Sequence, residues 1–195
     1  MSHYYDVSQA GPSKPFRIPI KARGQTFELW SDAGIFSKEA LDAGTKLLID
    51  TCDLPEKGRV HDLGCGIGVV GILAKRAEHD CTVVCSDVSE RAVATTKKNV
   101  DELGLDIDVR QSDGYAEIPE AFDTILFNPP YVAGRETIYR LMEEAKDHLV
   151  TGGSLQLVAR HNKGGEMLKK KLLELFGNCD DARRASGYRL YVSRS

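Results

Sequence analysis

A chain of 195 residues with 42% apolar and 28% charged residues, 18 Gly, 7 Pro and a formal charge of −3 excludes a disordered tail and fits one folded domain. At this length a fold buries roughly 70% of the surface its extended chain exposes, so the core needs neither disulfides nor a structural metal. The near-neutral total argues against a nucleic-acid partner, but residues 1–30 hold four Lys/Arg against two Asp/Glu, 31–159 hold 13 against 23, and 160–195 hold nine against four.

Residues 1–15, with Gly11, Pro12 and Pro15, read as a poorly structured lead-in. Residues 16–22 then alternate through Ile18 and Ile20, and 25–30 through Phe27 and Leu29, around Arg23-Gly24: a hairpin, its first strand confined to an edge by Pro19. Ser37 is placed to cap a helix in which Leu41, Thr45, Leu48, Ile49 and Cys52 recur at helical spacing up to Pro55. Short apolar runs follow at 60–63, 81–85, 107–109, 124–127 and 155–159. Between them, Ala92, Val93, Thr96, Val100 and Leu103 form one helical stripe, and Ile138, Leu141, Met142, Ala145 and Leu149 another. A last helix over 166–176 precedes apolar alternation at 188–192. Strands alternating with helices predict a parallel sheet covered on both faces, because parallel neighbours need crossover connections.

No basic start followed by an apolar run opens the sequence, and the longest apolar stretch, 63–74, is glycine-laced and too short to span a bilayer. The five cysteines (Cys52, Cys65, Cys81, Cys85, Cys179) form no C-x-x-C pair and read as buried small hydrophobes in a reducing, cytoplasmic setting. His61, His79, His148 and His161 lack metal-ligand spacing and read as surface or packing residues. No metal is expected.

In an open parallel sheet, ligands bind beyond the carboxyl ends of the strands. The first apolar run ends in Asp62-Leu63-Gly64-Cys65-Gly66-Ile67-Gly68, a glycine turn that lets backbone approach a ligand at a helix N-terminus. The second ends at Asp87, the spacing from Gly68 at which a carboxylate takes the two hydroxyls of a ribose. The third leads to Ser112-Asp113-Gly114, where a carboxylate or backbone amide can pair with an adenine edge. Each acid alone reads equally as a cap or a solvated strand end, and Ser89 beside Asp87 is itself a good cap. Together the three describe an adenosine pocket. The fourth run ends in Asn128-Pro129-Pro130-Tyr131. Two prolines remove two backbone donors, leaving the Asn128 side-chain oxygen and the Pro129 carbonyl as acceptors for an amino-group nucleophile, with Tyr131 as a flat face for an extruded base.

In this order, D-L-G-C-G-I-G, Asp87, Asp113 and N-P-P-Y resemble the class I S-adenosylmethionine-dependent methyltransferases. With Gly34-Ile35-Phe36-Ser37 and Asp42-x-Gly44-Thr45 added, the arrangement is similar to the catalytic domain of the small-subunit ribosomal RNA guanine-N2 methyltransferases and their single-domain relatives. The resemblance implies a Rossmann-like α/β fold: a seven-stranded, mostly parallel sheet with an antiparallel last pair and helices on both faces, here preceded by an N-terminal β-hairpin. On that reading residues 1–36 form an extension carrying the hairpin, and 37–195 the methyltransferase domain. S-adenosyl-L-methionine is the implied cofactor. Gly64, Cys65, Gly66 and Gly68 border its methionine part, Asp62 faces its amino group, Asp87 and Val88 the ribose, and Asp113 and Gly114 the adenine. Asn128, Pro129, Pro130 and Tyr131 clamp the acceptor, Asn128 also bordering the cofactor, and Phe36 reads equally as closing over the pocket or as a core residue. The implied partner is RNA, probed by Arg135, Arg160, Lys163, Arg183 and Arg184. Members usually carry Phe after N-P-P; Tyr131 is shared with protein glutamine and adenine methyltransferases. Two rival readings are therefore methylation of a protein glutamine or small amine, and a nucleotide-binding module without catalysis.

Overall fold

The computed structural model describes residues 12–35 and 41–195, with Tyr131 described in its backbone alone. Phe16–Ala22 (β1) and Gln25–Ser31 (β2) pair antiparallel in a separate two-stranded sheet, so Pro19 sits where no ladder partner is lost. Ala43–Thr51 (α1) leads to Gly58–Leu63 (β3), Val69–Ala77 (α2), Cys81–Asp87 (β4), Glu90–Glu102 (α3), Asp108–Gln111 (β5) and Phe122–Phe127 (β6). Then come Arg135–Asp147 (α4), Leu149–Arg160 (β7), Gly165–Phe176 (α5), Asp180–Ala185 (β8) and Tyr188–Arg194 (β9).

Seven strands form one sheet in the order β5-β4-β3-β6-β7-β9-β8. Strands β3 to β7 are parallel, while β9 runs antiparallel to both β7 and β8. This is the α/β architecture the resemblance implies. Side chains alternate between the two faces, as a period of two requires: Val83 and Cys85 of β4 join one core while Val84 joins the other, and Leu126 of β6 parts from Ile125 and Phe127. The first core receives α1, α2, α3 and the hairpin, the second α4 and α5. Side chains such as Ile72, Leu73, Ile125 and Leu155 are fully buried, each contributing roughly 1.5–3 kcal/mol. Cys52, Cys65, Cys81 and Cys85 are buried among them and Cys179 is half-buried.

Three features differ from the sequence reading: Leu149, read as part of a helical stripe, opens β7 instead, α4 ending at Asp147, and the start of α1 and the strand β8 also depart from expectation. Helix α1 begins at Ala43, capped by Asp42, whose Oδ1 accepts from the Gly44 and Thr45 amides at 2.9 and 3.0 Å; Ser37 lies outside the described residues. The Asp-x-Gly-Thr pattern is the stronger cap because the carboxylate takes two orphan amides of the first turn. Strand β8 carries no apolar alternation and is held as the outermost strand by β9.

The hairpin is fastened to α3. The Trp30 ring lies between the Arg17 guanidinium, 4.5 Å from its centroid, and the Lys98 ammonium at 3.5 Å, and its indole N–H donates to Glu102 at 2.7 Å. The buried Asn99 side chain accepts from the Trp30 amide and donates to the carbonyls of Trp30 and Ile67, joining hairpin, α3 and the turn after β3. No helix among the described residues is long and apolar enough to cross a membrane.

Gly153, in β7, packs where a Cβ would stand 2.9 Å from the carbonyl oxygens of Phe122 and Val150, both backbone atoms that cannot rotate aside. Gly153→Ala should lower the unfolding free energy by about 1–3 kcal/mol, read from the urea midpoint at unchanged slope.

Candidate functional site

Strand β3 has β4 on one side and β6 on the other, and a cavity of about 390 Å³ opens beyond the carboxyl ends of β3 to β6 at this switch of direction. Asp62, Gly64, Cys65, Gly66, Asp87, Val88, Asp113, Gly114, Asn128, Pro129 and Pro130 all line it. The four strand ends singled out from sequence therefore converge on one space. Six of the expected residues stand apart, among them Arg183 and Arg184, both exposed on β8 and outside the lining. Gly68 is absent from the lining; a Cβ there would meet Thr96 Cγ2 at 2.6 Å, so this glycine serves the packing of the turn on α3. Arg135 begins α4, Arg160 ends β7 and Lys163 lies in the turn after it, all three exposed and outside the lining. Phe36 lies outside the described residues.

The turn after β3 is built on left-handed backbone at Gly64 and Gly66, φ 71° and 60°. The Gly64 and Cys65 amides donate to the Ser86 carbonyl at 2.9 Å. A Cβ on Gly64 or Gly66 would meet nothing within 4 Å, so the bare backbone faces open cavity. The Gly66 amide donates to Asp87 Oδ2 and the Ser89 amide to Oδ1, each at 2.9 Å, which fixes the carboxylate plane and leaves lone pairs on both oxygens. Burial raises the Asp87 carboxyl against the pull of the Ser89, Gly66 and Val88 amides.

Asp62 is deeper. Its Oδ2 accepts from the Gly71 amide at 2.8 Å, tying β3 to α2, and no hydrogen bond among the described residues uses Oδ1. Burial pushes this carboxyl up to about 7; the Gly71 N–H opposes the rise and the Asp87 charge adds to it. Asp113 lies at the mouth, its side chain 61% exposed and paired with Arg140 at 2.6 Å, a partner with no signal in the sequence. Under the sheet, His61 is wholly buried, stacked on Phe122 and within 2.8 Å of Ser86 Oγ, and burial pushes it down to about 3: it is a neutral packing residue.

At the fourth strand end, the Asn128 amide nitrogen donates to Thr45 Oγ1 at 2.9 Å. The Thr45 hydroxyl donates in turn to Asp42 Oδ2. A carboxylate only accepts and a hydroxyl has a single proton, so Thr45, having given its proton to Asp42, can only accept from Asn128. The orientation of the Asn128 amide is thereby settled by chemistry: nitrogen to Thr45, oxygen toward the cavity. Neither Asn128 Oδ1 nor the Pro129 carbonyl has a hydrogen-bond donor among the described residues, whereas the Pro130 carbonyl accepts from Ala133. Val132, 71% exposed, and Tyr188 of β9 complete this end of the lining. The lining contains Asp42, Asp62, Asp87 and Asp113 and, among the described residues, no Lys, Arg or His.

The family model for the methyltransferase small domain matches residues 26–192. The chain is 33% identical over 190 residues to the uncharacterized protein YbxB of Bacillus subtilis, covering 95% of this chain and 94% of that one. It is 34% identical over 194 residues to ribosomal RNA small subunit methyltransferase C of Pseudomonas entomophila, covering 95% of this chain and 58% of that protein; it thus spans little more than half the length of that relative. The T. thermophilus 16S rRNA N2 G1207 methyltransferase, solved with AdoMet and guanosine, superposes with a TM-score of 0.83 at 22% identity, over 94% of this chain and 51% of that one. That likeness is one of fold.

The Asp62 carboxyl should titrate near 7, read from its 13Cγ shift with Asp62→Asn as the blank. Its folded pKa lies above the ordinary 3.8, so its contribution to stability is complete below that value and is lost as pH rises through about 7. Between pH 5 and pH 8 the wild type should lose on the order of 2 kcal/mol more unfolding free energy than Asp62→Asn.

Proposed function

The chain belongs to the methyltransferase small domain family, and from that premise we propose that it transfers the methyl group of S-adenosylmethionine to the exocyclic N2 amine of a guanine in ribosomal RNA. That it is an S-adenosylmethionine-dependent methyltransferase follows from the family; the base and the RNA are our reading. The residues present fit the cofactor. Four aspartates and no basic side chain among the described lining residues suit a nucleoside that carries positive charge, and disfavour one that carries phosphates. The open backbone at Gly64 and Gly66 leaves room for it.

Bound S-adenosylmethionine supplies an electrophilic methyl carbon on a sulfonium that is already a good leaving group. The chain's own residues then have two tasks, holding and aiming. Asp87, with a lone pair left on each oxygen, takes the ribose hydroxyls. Asp62, whose Oδ1 has no hydrogen bond among the described residues, would in its ionised form hold the ammonium. Asp113 and Gly114 border the adenine. Asn128 Oδ1 and the Pro129 carbonyl accept the two N–H bonds of the substrate amine. That pins the nitrogen, whose lone pair is otherwise delocalised into the base, and favours the geometry in which it points at the methyl carbon. The acquired positive charge develops beside two carbonyl oxygens, which stabilise it, and the surplus proton leaves to solvent without a dedicated strong base.

One observation carries this reading: the Asn128 amide is held so that only acceptors face the reacting nitrogen. The RNA assignment draws its support from the similarity to ribosomal RNA small subunit methyltransferase C and from the charge at the rim. The His161 amide donates to the Gly187 carbonyl, so the end of β7 with Arg160 and Lys163 sits beside the β8–β9 turn, near Arg184. Arg160 stands over the ring of Tyr188, a lining residue, so this group of cations lies to one side of the acidic cavity, where it can meet the phosphates of a chain entering it. The setting proposed is the cytoplasm.

Unmodified small-subunit ribosomal RNA and the matching ribosomal proteins, incubated with labelled methyl donor, should yield label in N2-methylguanosine on mass spectrometry of the digest. Label confined to a polypeptide glutamine overturns the proposal. Asn128→Ala should lower kcat by about 10²–10³-fold with cofactor Kd within about twofold. Thr45→Val, which keeps Asn128 but frees its amide to turn, should lower kcat by about tenfold.

A further inference from the structure

Two acceptors at Asn128 and Pro129 fix an amine but not the plane of the ring that bears it. The lone pair of an exocyclic nitrogen is aimed only when that plane is fixed as well. Tyr188 is placed for this. It opens β9, lines the same end of the cavity as Asn128, Pro130 and Val132, and is half-buried. Its ring lies against Gly44, where a Cβ would stand 2.6 Å from Cε1 and 2.8 Å from Cδ1. Gly44 directly precedes Thr45 in the turn capped by Asp42, so the ring and the Asn128 amide rest on one helical turn and share its position. Arg160, opposite Tyr188 in the β7–β9 ladder, sits over the ring with its guanidinium 5.0 Å from the centroid, which holds the ring's tilt. Val132, exposed, lines the same cavity.

We propose that Tyr188 is a substrate-binding residue, the aromatic wall against which the acceptor base is laid flat, and that the acceptor is therefore a nucleobase rather than an amide side chain. This rests on the methyl transfer proposed above. A glutamine amide has no ring to stack and would gain little from such a wall. A guanine gains both a fixed plane and burial of its apolar face.

The test uses the full chain, unmodified in vitro transcribed small-subunit ribosomal RNA and S-adenosylmethionine. Tyr188→Leu should lower kcat/KM for RNA by about 10- to 100-fold, with cofactor Kd within about twofold as proof of an intact fold. Tyr188→Phe should restore the rate to within about threefold, because the wall needs a ring and not a hydroxyl. In Tyr188→Trp, RNA added in the presence of AdoHcy should quench the new indole, while the wild type, whose single Trp30 is clamped on α3, stays unchanged. An active wild type with an equally active Tyr188→Leu, or a loss that Phe does not rescue, overturns the role of Tyr188 and leaves the RNA reading standing. A wild type that methylates no RNA takes down both.

Discussion

A hydroxyl group has one proton to give, and at Thr45 that proton goes to Asp42. Everything at the acceptor end depends on this. Because Thr45 can then only accept, the Asn128 amide turns its nitrogen away from the cavity and its oxygen into it. Reversing that amide would set two oxygens against each other across a short contact and put N–H groups where the reacting amine brings its own. The same carboxylate caps α1, so one aspartate both starts the helix and aims a side chain 86 positions further along the chain. Helix stability and site geometry are thus coupled through a single residue.

The charge distribution has a parallel logic. The acidic middle of the chain places four aspartates around the cavity, at a cost in desolvation that shows as the raised Asp62 and Asp87 carboxyls. Backbone amides from Gly66, Gly71 and Ser89 offset part of that cost without neutralising the site. The basic C-terminal segment contributes Arg160 and Lys163 at the rim instead. Two N-terminal cations are engaged elsewhere: Arg17 pairs with Glu102 and stands over Trp30, and Arg23 donates to the carbonyls at the far end of α1.

Legibility in the sequence followed the range of the interactions involved. Strands β3, β4 and β6 are covered on both faces and read as plain apolar runs, and the glycine turn, Asp87 and the diproline follow them directly, so the strand-end part of the cavity could be read from spacing alone. Strand β8 could not, because Asp180–Ala185 is an outer strand whose partner is β9 on one side only and whose exposed residues need no apolar pattern. Gly68 was readable as part of a motif but not as a packing residue, since Thr96 reaches it from another helix. Thr45 to Asn128, Asp113 to Arg140 and Gly44 to Tyr188 are pairings across the fold. No local rule marks them.

This division follows how the cavity is assembled. Its cofactor half consists of strand ends in the middle of the sheet, where neighbours on both sides and a core on each face leave little freedom. Its acceptor half joins the end of β6, with Asn128 and Pro129, to pieces added around that centre. The hairpin, locked to α3 through Trp30 and Asn99, delivers Gly34 and Ile35 to the lining; α1 delivers Asp42 and Thr45; the antiparallel last pair delivers Tyr188. On the proposed reading, a cofactor of constant chemistry is met by the rigid centre, and an acceptor that must be told apart from others is met in part by the appended elements. Changes in β9 or at the start of α1 would then alter what is methylated while Asp62, Asp87 and the glycine turn keep the donor in place, which is a physical reason for the donor to be easier to read from this sequence than the acceptor.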